Sequence, residues 1–571
     1  MPDRHDEMKE PTGFFAFRPR LIDALSGYTK AKFIADIGAG VTVGIVALSL
    51  CIGLGIASGV TPAAGLYTGI VGGFLISALG GSRVQIGGPA GAFVGLVALI
   101  AFEHGLEKLL LCTMMAGVIL FLIGALKLGN LIKFIPHPVT NGFTCGIAIT
   151  IISTQLGAFF GLTLAHEPVE FLPKILSLLD VFPTSQWQTW LMSGVSLLLL
   201  LRWPKRWARV PSSLIVVVLG ILVVTVGHVP LETIGSRFGG IPQSLPEFHW
   251  PQFAWNDLRV LIVPAFTIAV LGAIESLLSA VVADGMIDDR HDSNQELMAQ
   301  GVANFLSPLF GGIPVTGTIA RTATNVRSGA HTPVAGIVHA IFLLGVLLVA
   351  APLAEDIPLA SLAAVLIFVS IRMGDWQEFA VLRRRPKGDS LVFLTTFFLT
   401  VFFDLMIAVE VGIVLAAFLF IHRVSESTQV QAMTGDGIPL DGPGHEWVKD
   451  VPDGVLIYRV FGALLFGSAE KLDTIIRRAG VQADVIILHL AAVTAMDSTA
   501  LNRVEILHTK LLRHGKHLII SGPHTQPYSV MEQAGFFKEL GLENVCGDLK
   551  SAVTRAKILQ EQLRANTSET S

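Results

Sequence analysis

The sequence predicts an α-helical membrane domain followed by a small α/β domain, and three observations carry that expectation. Hydrophobic residues make up 52% of the 571-residue chain and charged residues 15%, against about 25% charged in soluble proteins. The charge is uneven: sparse before residue 423, of ordinary density after it. Two glycine-dense breaks, Gly80 to Pro89 and Gly311 to Gly317, each precede an unusually short apolar run and occupy corresponding positions in the two halves of the membrane sequence. Interrupted segments so placed point to a transporter's substrate site.

Taken in order, residues 1–32 are polar, with Phe14, Phe15 and Phe17 near the expected membrane surface. They hold no apolar core bounded by a cleavage site, so no cleaved signal peptide is expected. Apolar runs then fall near 34–55, 63–79, 89–102, 108–126, 138–160, 189–203 and 210–228. Further runs fall near 258–283, 297–311, 317–325, 332–351, 357–371, 390–403 and 405–422, the last two separated at Asp404 because Asp404 and Glu410 make one continuous helix improbable. This is fourteen segments, seven per half. Lys127, Lys133, Arg202, Lys205, Arg206, Arg209, Arg383, Arg384, Arg385 and Lys387 then share the cytoplasmic side with both chain ends. The loops at 161–186 and 229–256, with Glu167, Glu170, Asp180, Glu232 and Glu247, fall outside, as a positive-inside bias requires. His137, between two prolines, reads as a loop residue.

After Gly435 the pattern changes to strands at 455–461, 484–490 and 516–521, alternating with helices at 468–479, 498–513, 528–539 and 549–565. Alternation of this kind indicates a small α/β domain. Nothing in it resembles a nucleotide loop or a nucleophile elbow, so no enzyme and no cofactor are expected. The net charge of -4 implies little about partners, but no basic domain or nucleic-acid motif appears, so nucleic acid is not expected as one. Cys51, Cys112, Cys145 and Cys546 lack metal-ligand spacing.

The first break holds four glycines and a proline, and such a backbone survives in lipid only inside protein or beside water. A half-helix starting near Gly88 would aim free N–H groups and a positive dipole end into the membrane interior, which suits an anion. Arg321, four residues past Gly317, would reinforce that attraction or else snorkel to water from the end of its short helix; Thr316, Thr318 and Thr322 put hydroxyls nearby. Glu275 interrupts the run FTIAVLGAIESLLSAVV, and an intramembrane carboxylate marks an ion or proton pathway. Ser279 lies one turn away on the same face. The two would ligate a small cation or carry a proton, or Glu275 would be structural, paired to Arg321 or to backbone. Gln85 and Arg83 flank the break, Arg83 at the membrane boundary, and Ser49, Gly53, Gly55 and Ser58 would let the first segment approach the crossing point.

The stretches GVTPAAGLYTGIVGG and GGSRVQIGGPAGAF resemble the signature of the sulfate permease (SulP) family of anion transporters. So do LGAIESLLSAVVADGM and GGIPVTGTIARTATNVRSGAHTPVAG, while VIILHLAAVTAMDSTAL resembles the STAS domain attached to such transporters. The membrane sequence looks most similar to the bacterial branch that includes a C4-dicarboxylate carrier. The resemblance implies two inverted seven-segment repeats forming core and gate domains, usually in a homodimer, with a membrane domain over 33–423, a linker at 424–435 and a cytoplasmic STAS domain over 436–571. It implies an anion between the facing N-termini of segments 3 and 10, at Pro89, Ala90, Gly91, Thr318, Ile319 and Ala320. By similarity to sodium-coupled bicarbonate members, a cation site falls on Glu275, Ser279, Gly317, Thr318 and Ile319, with glutamate where those members have aspartate. That difference favours protons over sodium. Ser49 stands where many members have proline. In the tail, Ser498 and Thr499 match the loop that carries the phosphorylated serine of bacterial anti-sigma antagonists, although Asp497 or Ser498 would equally cap the helix. The expectation is therefore a proton-coupled inner-membrane transporter of a dicarboxylate (succinate, fumarate, aspartate) or sulfate. The alternatives are a sodium-coupled bicarbonate or sulfate symporter and a membrane-anchored regulator whose STAS domain binds a cytoplasmic protein.

Overall fold

The computed structural model describes residues 17–130, 136–163, 168, 170–204, 211–252, 254–403, 405–433, 451–468, 471–472 and 483–569. It divides into two compact units, Met1–Ile413 and Val414–Ser571.

Every apolar run expected between residues 34 and 422 falls on a helix. The first half holds Lys30–Ala57, Pro62–Leu79, Gly91–His104, Leu106–Ala125, His137–Phe160, Trp187–Arg202 and Ser212–Thr225. The second holds Trp255–Ile287, Ser293–Leu306, Ile319–Arg327, Val334–Glu355, Leu359–Met373, Lys387–Phe402 and Leu405–Ser427. Among the described residues eight helices are long and apolar enough to cross a membrane. Their starts are written locally. The Thr29 hydroxyl accepts from Lys32 N–H and the Thr61 hydroxyl from Ala64 N–H, each at 3.3 Å, with Pro62 at the first helical position. Close packing then selects glycine: a Cβ at Gly65 would lie 2.0 Å from the Cys51 carbonyl oxygen.

The helix Pro62–Leu79 widens to a π-turn over Thr68–Gly72. The Thr68 hydroxyl donates to the Ala64 carbonyl at 2.7 Å and accepts from Ile313 N–H at 2.8 Å. The irregular turn thereby ties the first half to the second break, a placement common for π-turns near functional sites.

Several local expectations are corrected. His137 opens the helix His137–Phe160, with the extended Pro136 before it, and does not lie in a loop. The loops at 161–186 and 229–256 contain the helices Phe171–Asp180 and Ile234–Phe238. Gly53 packs against Leu366, Gly55 against the Thr61 carbonyl, and the Ser49 hydroxyl returns to the Val46 carbonyl at 3.1 Å. The expected split of the last two apolar runs is present, as separate helices around a non-helical Phe403; Asp404 itself lies outside the described residues, as do Phe14, Phe15, Lys133, Glu167, Lys205, Arg206, Arg209 and most of the helix expected at 468–479. The four cysteines are free and buried.

The second unit is built on a five-stranded sheet. The two-residue strands β1 (Gly87–Gly88) and β2 (Thr316–Gly317) belong to the first unit; the sheet itself runs β3 (Gln429–Ala432), β4 (Val455–Leu464), β5 (Val485–Met496), β6 (His517–Ser521) and β7 (Val545–Cys546), in that spatial order. β3 is antiparallel to β4 and the remaining pairs are parallel. One face packs on the helices Ser498–Arg513, Thr525–Gln533 and Phe536–Leu540, the other on Leu549–Glu569. β3 occupies residues expected as linker. The single helix expected at 528–539 is two, because Gly535 takes a left-handed conformation (φ +79°) between them.

Candidate functional site

The two breaks meet. β1 and β2 pair antiparallel, Gly87 with Gly317 and Gly88 with Thr316. The pairing extends one residue further, where Thr318 N–H and the Thr318 hydroxyl donate to the Ile86 carbonyl at 3.0 and 3.2 Å. The two short helices leave this bridge directly, Gly91–His104 from an extended Ala90 and Ile319–Arg327 from an extended Thr318. The first begins at Gly91 rather than near Gly88, because Gly87 and Gly88 are committed to the bridge. Pro89, Ala90, Gly317 and Thr318 are buried, Gly91 is half-buried, and Ile319 and Ala320 are exposed. The helix starts at Gly91 and Ile319 thus carry unpaired N–H character beside an accessible surface.

Arg321 does not snorkel. It is 2% exposed, its Nη2 donates to the Pro89 carbonyl at 2.7 Å, and its Nη1 lies 3.7 Å from Cys51 Sγ. A Cβ on Gly88 would stand 1.9 Å from that Nη1, so the close approach of cation and backbone exists only because residue 88 is glycine. The arginine of the second break therefore holds the backbone of the first.

Glu275 and Ser279 share a face of Trp255–Ile287. Glu275 Oε2 is buried with no hydrogen-bond partner. The carboxylate makes no ion pair with Arg321, whose guanidinium is turned to the Pro89 carbonyl and Cys51. The Ser279 hydroxyl donates to Thr322 Oγ1 at 3.1 Å, and the same Oγ1 accepts from Ile86 N–H at 3.0 Å. Gln85 Nε2 donates to the Ser276 carbonyl and hydroxyl, each at 3.0 Å, and Gln85 Oε1 is left buried without a partner. A Cβ on Gly317 would fall 1.5 Å from that Nε2. Among the described residues no group of three or more His, Cys, Asp or Glu side chains is placed to hold a metal. Any cation here would be met by one carboxylate and neutral oxygens, a set suited to a hard monovalent ion or a proton.

Sequence reasoning missed the polar stripe that aligns both breaks. Glu296, Gln300 and Asn304 recur every fourth residue on Ser293–Leu306 and are buried. Glu296 Oε2 accepts from Gly81 N–H at 2.9 Å and Ser82 N–H at 3.2 Å; Oε1 accepts from Gln300 Nε2 at 3.0 Å and the Ser276 hydroxyl at 3.3 Å. Asn304 clasps Val315, donating to its carbonyl at 2.7 Å and accepting from its N–H at 2.9 Å. The i, i+4, i+8 spacing of these side chains was the available signal. Asp36 was also missed: buried, it accepts from His331 N–H, Thr332 N–H, the Thr332 hydroxyl and the Tyr28 hydroxyl. Glu296→Ala should destabilise the protein by about 2–4 kcal/mol, since several buried donors lose one shared acceptor. Thermal unfolding in detergent reads this out, and an unchanged midpoint would remove Glu296 from the supporting shell.

In the second unit Ser498 and Thr499 are exposed at the start of Ser498–Arg513. Asp497 is the cap: Oδ1 accepts from Ala500 N–H at 2.9 Å and Oδ2 from Phe466 N–H at 2.8 Å. Asp497→Ala should cost about 1–3 kcal/mol, visible as faster amide exchange at 498–502, whereas Asp497→Asn should recover most of it.

A sulfate permease family model matches residues 33–396, and a STAS domain model matches 446–552. The chain belongs to the sulfate permease family. Its general function is anion transport, and the described site lies within the part that the family model matches. YvdB of Bacillus subtilis, which carries a sulfate-transporter name, is 39% identical over 92% of this chain and 98% of its own length. The bicarbonate transporter BicA of Picosynechococcus is 32% identical over 88% of this chain and 91% of its own. The solved murine Solute Carrier 26 family member A9, in its inward-facing state, covers 98% of this chain and 99% of its own at TM-score 0.82 and 18% identity, a likeness of fold. Sulfate and bicarbonate are the substrates these bacterial relatives are named for, which overturns the expected grouping with the C4-dicarboxylate branch. The motifs quoted from the sequence fall within the stretches that the sulfate permease and STAS models match, so they carry the family and not the branch.

Proposed function

We propose that this sulfate permease family member is a secondary active symporter of a small inorganic oxyanion, sulfate or bicarbonate, coupled to sodium. The observation that carries the reading is the bridge of Gly87–Gly88 to Thr316–Gly317, from which two helix N-termini open beside a buried arginine. Backbone N–H groups and aligned dipoles at those starts favour an anion. The oxyanion lies at Pro89, Ala90 and Gly91 on one side and Thr318, Ile319 and Ala320 on the other, with Arg321 supporting it through the Pro89 carbonyl. The cation lies against Glu275, whose Oε2 has no other partner, with Ser279, Gly317, Thr318 and Ile319 around it. The relatives' sulfate and bicarbonate names support this substrate class. A proton on Glu275 is the second reading, favoured because among the described residues no group of three or more His, Cys, Asp or Glu side chains is placed to hold a metal.

In the same reading, fourteen segments form two inverted seven-segment repeats that divide into core and gate domains and move against each other. The domain bounds are 33–423 for the membrane part and 436–571 for the STAS part. The protein is a homodimer of the bacterial inner membrane with both termini cytoplasmic. Its STAS domain docks a cytoplasmic protein, and Ser498 and Thr499 are where phosphorylation would act.

Uptake of labelled sulfate and bicarbonate into proteoliposomes, under an inward sodium gradient, an inward proton gradient or neither, tests the reading. Sodium-driven accumulation of either anion is expected. Accumulation driven only by protons would transfer the coupling to a protonated Glu275, and equal uptake without any gradient would remove the symport.

A further inference from the structure

The sheet of the second unit carries a polar row that the transport reading leaves unused. On the face covered by Leu549–Glu569, strands β4, β5 and β6 present Val455 and Ile457, Val485 and Ile487, and Ile519, all buried in one apolar cluster. The next position on that face, two residues along each strand, is Arg459, His489 and Ser521. These three are register partners, Arg459 with His489 and His489 with Ser521, so their side chains stand side by side at the strand spacing of about 4.8 Å. The apolar covering gives way to this row, and β6 ends at it. Gly522 follows in a left-handed conformation (φ +63°), where a Cβ would lie 3.1 Å from that of Ala491.

We propose that Arg459, His489 and Ser521 form a second oxyanion site, separate from the transport pathway, on the second unit. Arg459 is the attracting charge. Among the described residues no carboxylate pairs with it, its Nε is buried without a hydrogen-bond partner, and its guanidinium is held 4.4 Å above the Phe461 ring. That stacking fixes the plane of the fork and leaves its edge for a ligand. His489 Nδ1 lies 3.2 Å from Ser521 Oγ, so this contact orients the imidazole and leaves its other nitrogen for a ligand. Burial, with Arg459 nearby, holds His489 below the ordinary histidine range. The site then has one full positive charge and two neutral polar groups. That set matches a single small oxyanion and offers nothing for an extended polyanion. Ser521 is the last residue of β6, whereas β4 and β5 run on past Arg459 and His489.

The shared ligand chemistry is a compact tetrahedral or trigonal oxyanion, supplied by the transported anion or by a phosphate. The proposal does not depend on which anion the membrane unit carries.

Hydrogen–deuterium exchange on the full chain in nanodiscs tests it, because it reads the sheet locally and without transport. At constant ionic strength, sulfate, bicarbonate and inorganic phosphate are titrated separately, with chloride as control. At least one oxyanion should slow exchange several-fold in peptides spanning 489–493 and 521–524, and chloride should not. Arg459→Gln should abolish the protection and Arg459→Lys retain part of it, with 485–488 exchanging normally as evidence of an intact sheet. Protection by sulfate or bicarbonate alone would identify the transported anion as the ligand, and protection by phosphate alone a phosphoryl group; both support the site. Wild-type peptides unmoved by all three oxyanions would overturn it, as would equal protection in a folded Arg459→Gln protein.

Discussion

Arg321→Gln is expected to lower initial anion uptake in proteoliposomes on the order of 100-fold while the protein still folds. The guanidinium does two things. It supplies the buried positive charge next to both short helices, and it donates to the Pro89 carbonyl at 2.7 Å. A hydrogen bond from a charged donor contributes about 1.5–3 kcal/mol, roughly a ten- to hundred-fold effect before the lost charge is counted. Glutamine is too short to reach Pro89 and carries no charge. Arg321→Lys keeps the charge but not the fork, so an intermediate loss is expected. Gly88→Val should fail in the same direction, since its Cβ would occupy the space 1.9 Å from Arg321 Nη1. Near-normal uptake by Arg321→Gln, with an unchanged unfolding midpoint, would take Arg321 out of the site.

Glu275→Gln is expected to abolish uphill accumulation while leaving anion exchange within a few-fold of wild type. Glutamine has nearly the same shape, and Glu275 Oε2 has no partner to lose, so the fold should tolerate the change. What disappears is the negative charge that would hold sodium, or the group that would carry a proton. Accumulation under a sodium gradient and counterflow without one are measured on the same vesicles. Normal gradient-driven accumulation would exclude Glu275 as the coupling group.

These two residues differ in how far the sequence revealed them. Glu275 stands out as a lone acid in an apolar run, and its Oε2 is buried without a hydrogen-bond partner. Arg321 was ambiguous because a cation near a helix end is equally at home in water, and nothing local shows that Gly88 leaves room for it across the membrane unit. Glu296 and Asp36 were overlooked for a related reason. Each lies near a polar stretch and looks solvated, yet each is 0% exposed and satisfies backbone N–H groups distant in sequence. The substrate branch was misjudged because the quoted motifs mark the family and do not distinguish its substrates.

The sequence by itself determined the helices, the two interruptions and the change to an α/β tail, since hydrophobic runs, glycine and proline, and strand alternation act over a few residues. Only the tertiary structure decided that Gly87–Gly88 pairs with Thr316–Gly317, that Arg321 turns inward to Pro89, and that Arg459, His489 and Ser521 align in one row. Those outcomes depend on space left by absent side chains and on backbone groups that must find partners away from water, and both are properties of distant segments brought together.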